Sequence, residues 1–185
     1  MKKSSFLLIV LFFLFLISAA GGVFYIYVSF YQTPEPEKIN EPLSDAILRN
    51  YTNLKIFYPV GEGTEIFEKK VSSDLTRLEM ADLLITTYLK ISRQLDTGVI
   101  PEGASVNNIY ISRDNIVYID FSKAFKKNFR GDVIDEYMLL KTILDTIMGN
   151  VEDISDVVIL IDGRQQETLG GHFFLNRPLK TILTQ

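Results

Sequence analysis

The chain of 185 residues contains no cysteine and a single histidine, His172. The first absence excludes disulfides, zinc–thiolate sites, thiol nucleophiles and a lipid-bearing cysteine, and it fits a protein of the cell envelope. The second is too few for a histidine-rich metal site, and any Ser–His–Asp arrangement would have to use His172. No Gly-x-Ser-x-Gly elbow occurs. The glycines of "GEG" (61–63) and "GG" (170–171) lack the lysine and the strand-to-helix context of a phosphate loop. The 23 acidic residues supply many carboxylate pairs, so an envelope hydrolase stays as the remotest reading. No catalytic residue, cofactor or metal is expected.

Charge is absent from residues 6–31, "FLLIVLFFLFLISAAGGVFYIYVSFY". As a helix this stretch spans roughly 39 Å, against roughly 30 Å of bilayer hydrocarbon. Tilt, or Tyr25, Tyr27 and Tyr31 at the interface, takes up the surplus. The rival is a cleaved signal peptide, with Ser18-Ala19-Ala20 as its small-residue site. The apolar run resumes at once after that site, which favours an uncleaved anchor. Lys2 and Lys3 hold residues 1–5 in the cytoplasm, so the remainder lies outside a plasma or inner membrane, in the periplasm or extracytoplasmic space. Those two lysines are the only charges in residues 1–31. Beyond them stand 17 basic and 23 acidic side chains, a net −6, which argues against nucleic acid as a partner. Gly21-Gly22 lacks a small-xxx-small frame, so plain anchoring is the default.

Pro34, Pro36 and Pro42 among charges mark residues 32–53 as a stiff linker, with a helical turn or two over 44–53. The domain is expected over 54–185. Its first strand is "LKIFYPV", stopped by Pro59, Gly61 and Gly63, with "EIFEKKV" beside it. Thr76 and Glu79 form a capping box for a helix whose buried face carries Leu84, Tyr88, Ile91 and Leu95. "SVNNIYI" and "IVYIDF" are a hairpin joined by Ser112-Arg113-Asp114-Asn115, with Val117, Ile119 and Phe121 on one apolar face. A second helix starts at Asp132, buries Val133, Tyr137, Leu140, Leu144 and Ile147, and ends at Gly149. The last strand pair is "VVILI", a turn at Asp162-Gly163, then "RQQETL". Strand pairs separated by helices predict an α+β fold: a two-layer α/β sandwich, with a mixed sheet and two main helices on one face. The second sheet face would be open to a partner.

Five motifs in order carry a family resemblance: "LKIFYP"; a helix with Glu79 near its start; "GVIPEGASVNNIYISRDNIVYIDFSKAF"; "LLKTILDTI"; and "VVILIDGRQQETLGGHFFLNRPL". With these, residues 54–179 resemble the GerMN domain of sporulation and spore-germination proteins. The chain departs from the family in lacking a Gly-Pro pair in "LKISRQLDTG", and it cannot be a lipoprotein as some members are. The resemblance implies a non-catalytic envelope module that assembles or localises other proteins, akin to small ring-building βαββα domains. Its motif residues here are Pro101, Gly103, Asp120, Ser122, Asp162, Gly163, Glu167, Gly171 and His172, all expected to be structural. Asp120 is expected to cap the following turn with Ser122.

Asp162-Gly163 reads as a two-residue hairpin turn with glycine at a positive-φ position, which spreads the polar residues after it on two faces instead of gathering them. His172 is expected in a structural hydrogen bond. "FSKAFKKNFRG" places Lys123, Lys126, Lys127 and Arg130 among Phe121, Phe125 and Phe129. Either the phenylalanines are core and the basic groups a solvated face, which is preferred, or the patch docks on an acidic partner, anionic lipid or the wall polymer. The function expected is envelope scaffolding through protein–protein contact. The alternative is a tether to peptidoglycan. Candidate partners are other envelope proteins, a homo-oligomer, the membrane through residues 6–31, and peptidoglycan.

Overall fold

The computed structural model describes residues 50–184. The expected anchor at 6–31 and most of the linker lie outside them. Among the described residues no helix is long and apolar enough to cross a membrane. The elements run β1 (Tyr51–Val60), β2 (Gly63–Ser72), α1 (Arg77–Gln94), β3 (Val106–Ile111), β4 (Ile116–Phe121), α2 (Lys123–Lys127), α3 (Val133–Met148), β5 (Asp156–Ile161) and α4 (Leu179–Leu183).

Local chemistry sets the helix starts. Thr76 accepts from the Glu79 amide while the Glu79 carboxylate takes the Thr76 amide at 2.8 Å, so each satisfies an orphan group. Those bonds hold the Glu79 carboxyl below its ordinary 4.5. Asp132 and Asp135 make the same reciprocal box for α3. Gly149 is the C-cap of α3, but its φ of −78° is available to any residue. Glycine is needed there for space, since a Cβ would lie 2.8 Å from the Asp145 carbonyl and 3.2 Å from the Phe57 ring.

The α+β class is as expected, but the strands form two sheets instead of one. β1 and β2 are an antiparallel ribbon paired from Tyr51↔Ser72 to Val60↔Gly63. β3–β4–β5 form a mixed sheet, antiparallel between β3 and β4 and parallel between β4 and β5. Alternate residues of an antiparallel strand turn their N–H and C=O groups to opposite edges. On β1 the edge away from β2 belongs to Lys55 and Phe57. It is met by side chains of α3: Thr146 Oγ1 bonds the Phe57 N–H and C=O at 3.0 and 3.2 Å, and the Asn150 amide bonds both groups of Lys55 at 2.7 Å. A helix thus takes the place of a third strand, which keeps the ribbon out of the other sheet. Pro59 falls on that same edge, so its missing N–H breaks no bond to β2, and the strand continues through it to Val60. β1 also starts at Tyr51, inside the stretch read as linker.

The core joins Leu54 and Ile56 of β1, Leu84, Ile85 and Tyr88 of α1, Val117, Ile119 and Phe121 of β4, Leu139, Ile143 and Ile147 of α3, and Val157 and Ile159 of β5. Each such fully buried aliphatic side chain contributes about 1.5–3 kcal/mol. Tyr88 lies wholly inside, where burial drives its phenol far above its ordinary 10.0, and its hydroxyl meets Thr142 Oγ1 at 2.9 Å. That bond ties α1 to α3. Tyr137, expected inside, is half-buried beside Phe173, and two further helical residues expected inside are exposed. Leu95 is 54% exposed because it is the C-cap, beyond the last turn, and Val133 is exposed at the first residue of α3. β5 is buried at every position, so the second face of the mixed sheet is closed along that strand.

The expected last strand "RQQETL" does not form. Ile161 and Arg164 exchange both backbone bonds across the Asp162-Gly163 turn, at 2.8 and 3.1 Å, and the pairing stops there. From Arg164 to Thr168 every side chain is polar, so the segment has no apolar face with which to lie on a sheet. Leu169 is its first buried residue.

Candidate functional site

Two clusters gather the motif residues. The first lies where β4 and β5 end side by side. Asp162 and Gly163 have φ of 49° and 70°, the pair of positive values that a two-residue hairpin turn of this hand demands. The two aspartates exchange support across this end. Asp120 Oδ1 accepts the Gly163 N–H at 2.8 Å, and Asp162 Oδ1 accepts the Lys123 N–H at 3.1 Å and the Asn107 amide at 3.4 Å. Asp120 therefore caps the distant turn and not the one at Ser122, which corrects the expected role. Ser122 instead bonds Ser105 in both directions, giving its N–H to the Ser105 carbonyl at 2.8 Å and taking the Ser105 N–H on Oγ at 3.0 Å. Pro101 is buried and its carbonyl accepts the Ala104 N–H, with Gly103 at φ 71° completing the turn. Asn128 reaches that turn from the end of α2, donating to the Glu102 carbonyl at 2.8 Å.

The second cluster surrounds Glu136, which sequence reading missed. Its side chain is wholly buried and accepts four hydrogen bonds: from the N–H groups of Leu169 (3.3 Å), Gly170 (2.9 Å) and His172 (3.1 Å), and from His172 Nδ1 (2.8 Å). A carboxylate on the inner face of α3 thus holds the whole Gly-Gly-His loop. Gly170 has no room for a side chain, since a Cβ would lie 2.6 Å from the Phe129 ring and 2.8 Å from the Glu136 carboxylate. Gly171 turns the chain at φ 105°. The signal for Glu136 was its spacing: with Leu140, Ile143 and Ile147 it recurs at 4, 3 and 4, a charged residue on the apolar stripe.

The two clusters open on separate grooves. One, of about 540 Å³, is lined by Lys123, Lys126, Lys127, Ile161, Asp162, Arg164 and Gln166. The other, of about 450 Å³, is lined by His172, Phe173, Phe174, Asn176, Arg177 and Ile182. Glu167 lines neither; it is exposed and only its carbonyl is used, by the Leu175 N–H at 2.8 Å. Asp162, Glu167 and His172 therefore share no hollow. Among the described residues no group of three His, Asp or Glu is placed to hold a metal.

The basic stretch has a buried foundation. Phe121 and Phe125 stack at 4.0 Å between ring centroids and are wholly inside, with Phe129 beside the Gly170 loop. Lys123, Lys126 and Lys127 line the first groove, where Lys126 Nζ meets Gln166 Oε1 at 3.0 Å. Arg130 does not: its guanidinium turns back to the Lys127 and Phe129 carbonyls, at 2.9 and 2.7 Å. Arg164, from the hairpin turn, takes its place, 34 residues along the chain and invisible to a reading of one contiguous stretch.

A strand ribbon, two main helices and a three-stranded mixed sheet, with motif aspartates holding turns at the strand ends, define a small α+β domain. The family described as "Germane: Sporulation and spore germination" matches residues 55–167, more than half of the chain, and the protein belongs to it. Among solved structures, a candidate lipoprotein from Clostridium perfringens is 20% identical, with 71% of this chain and 87% of that one covered and a TM-score of 0.43. The tandem GerMN domains of the sporulation protein GerM from Bacillus subtilis are also 20% identical, covering 65% of this chain and 42% of that one at a TM-score of 0.46. The first GerMN domain of GerM alone gives 20% identity, 65% and 90% coverage and 0.46. No curated protein matches the chain.

Proposed function

We propose that this protein is a non-enzymatic assembly module of the cell envelope, anchored through residues 6–31 and working by protein–protein contact outside the membrane. The observation that carries the reading is the free edge of β2. Because Lys55 and Phe57 direct their backbone groups to α3, their partners across the ladder, Glu68 and Ile66, direct theirs outward, as do Thr64 and Lys70. Among the described residues no backbone or side-chain group meets them. Ile66 and Phe67 on this strand are 51% and 42% exposed. An unpaired edge of ten residues is a template for another strand. The carboxylates favour the same reading, since Asp120 and Asp162 of the motif, along with Glu136, are each engaged by backbone N–H groups of this chain.

The test is a photo-crosslinking side chain in the full-length protein in its own membrane, at Ile66 or, as a control, at Leu95. Adducts from position 66 and none from position 95 are expected. Equal capture at both positions would end the proposal for the edge. A second reading, a tether to an anionic wall polymer, is favoured by the groove of three lysines and Arg164.

A further inference from the structure

The β2 edge has chemistry that identifies its occupant. We infer that it is the same edge of a second copy of this chain, paired antiparallel about a two-fold axis through Phe67; the inference rests on the proposed function and names its partner. In an isologous contact the same residues face each other in reverse order. Only registers that oppose outward-facing backbone groups can form bonds, and here these belong to Thr64, Ile66, Glu68 and Lys70. With the axis at Phe67, Ile66 pairs with the partner's Glu68 and Thr64 with the partner's Lys70. Every outward group from 64 to 70 is then satisfied.

The side chains select this register over its neighbours. It sets Glu65 opposite the partner's Lys69, twice by symmetry, and Phe67 opposite the partner's Phe67. An axis at Glu65, Glu68 or Lys69 would place like charges directly opposite, which destabilises a sheet. An axis at Ile66 would oppose Glu65 to the partner's Phe67 and lose both ion pairs. Within one chain, among the described residues, neither Glu65 nor Lys69 has a salt-bridge partner. Tyr58 donates to Glu65 Oε2 at 2.8 Å, which fixes the carboxylate and leaves its other oxygen for a lysine. The mixed sheet ends in β3 and β5. β5 is buried at every position, and β3 is six residues long and has a register shift between Val106 and Asn108, the kind of irregularity that discourages edge pairing. β2 has ten residues, no proline and no shift.

The chain's lack of cysteine makes the test direct. A residue on the axis sits in a non-hydrogen-bonded pair, with Cα atoms about 4.5 Å apart, within disulfide reach. Thr64 would lie roughly 20 Å from its own copy, at about 3.3 Å per residue. In the full-length protein in its membrane, Phe67→Cys should give about tenfold more disulfide-linked dimer than Thr64→Cys, whose separation no disulfide spans. Adding Lys69→Glu to Phe67→Cys should lower the dimer about tenfold, and adding Glu65→Lys to both should restore it. Equal linkage at 67 and 64, or no recovery in the charge swap, overturns the inference. Amide exchange separates the two failures. Protected Ile66 and Glu68 amides without linkage place a different chain on the edge, overturning the self-pairing and leaving the proposed function. Open amides without linkage overturn both.

Discussion

Glu136 is the residue on which the C-terminal third of the domain turns. It converts an otherwise unsupported glycine loop into a fixed surface, because three backbone N–H groups and the His172 ring meet one buried carboxylate. Removing the acceptor orphans donors that folding has already taken out of water. Glu136→Ala should therefore cost about 2–4 kcal/mol, while His172→Ala, whose ring is 40% exposed, should cost about 1 kcal/mol or less. Urea unfolding of the two variants measures both, and a smaller loss for Glu136→Ala than for His172→Ala would show that the loop is held by something else. The asymmetry also explains what the sequence conceals. His172 is conspicuous as the chain's lone histidine, whereas the group that organises it is one of 23 acids, recognisable only from its place on a helix stripe.

Elements specified by neighbouring residues were legible, and those specified across the fold were not. The capping box at Thr76 and Glu79, the turn at Asp162-Gly163 and the hairpin joined at residues 112–115 all rest on chemistry within a few positions. The split into two sheets rests on Thr146 and Asn150, which bond residues 89 and 95 positions away. Nothing local marks a threonine and an asparagine four residues apart as a stand-in for a strand. The groove shows the same limit, as the reading of one segment included Arg130 and missed Arg164. The helix-capped edge yields its own prediction. Thr146→Val and Asn150→Ala together expose the N–H and C=O groups of Lys55 and Phe57, four bonds in all, at a cost of about 2–4 kcal/mol. Amide exchange at Lys55 and Phe57 should accelerate before that of α1. If those amides keep their protection in the double variant, α3 is not what holds the ribbon.

For the molecule as a whole, charge is distributed against its average. The part beyond residue 31 carries a net −6, yet one groove holds Lys123, Lys126, Lys127 and Arg164 with Asp162 as its single acid, and Asp162 Oδ1 is already engaged by the Lys123 N–H and Asn107. An acidic protein gains nothing from long-range attraction to a polyanion, so any such binding must come from this local field, which decays over about 8 Å at physiological ionic strength. The two readings of the protein therefore separate by salt. If the groove tethers the chain to an anionic wall polymer, the full-length protein is retained on purified sacculi at low salt and released as salt rises. Lys123→Glu with Lys127→Glu, both exposed and free of any side-chain bond among the described residues, should abolish that retention at unchanged thermal stability. Retention that survives both the double reversal and high salt would remove the groove from wall binding. Loss of crosslinks at Ile66 in the same variant would mean that groove and edge serve one interface, because the two substitutions lie on α2, whose main packing partner is β5 and not the ribbon.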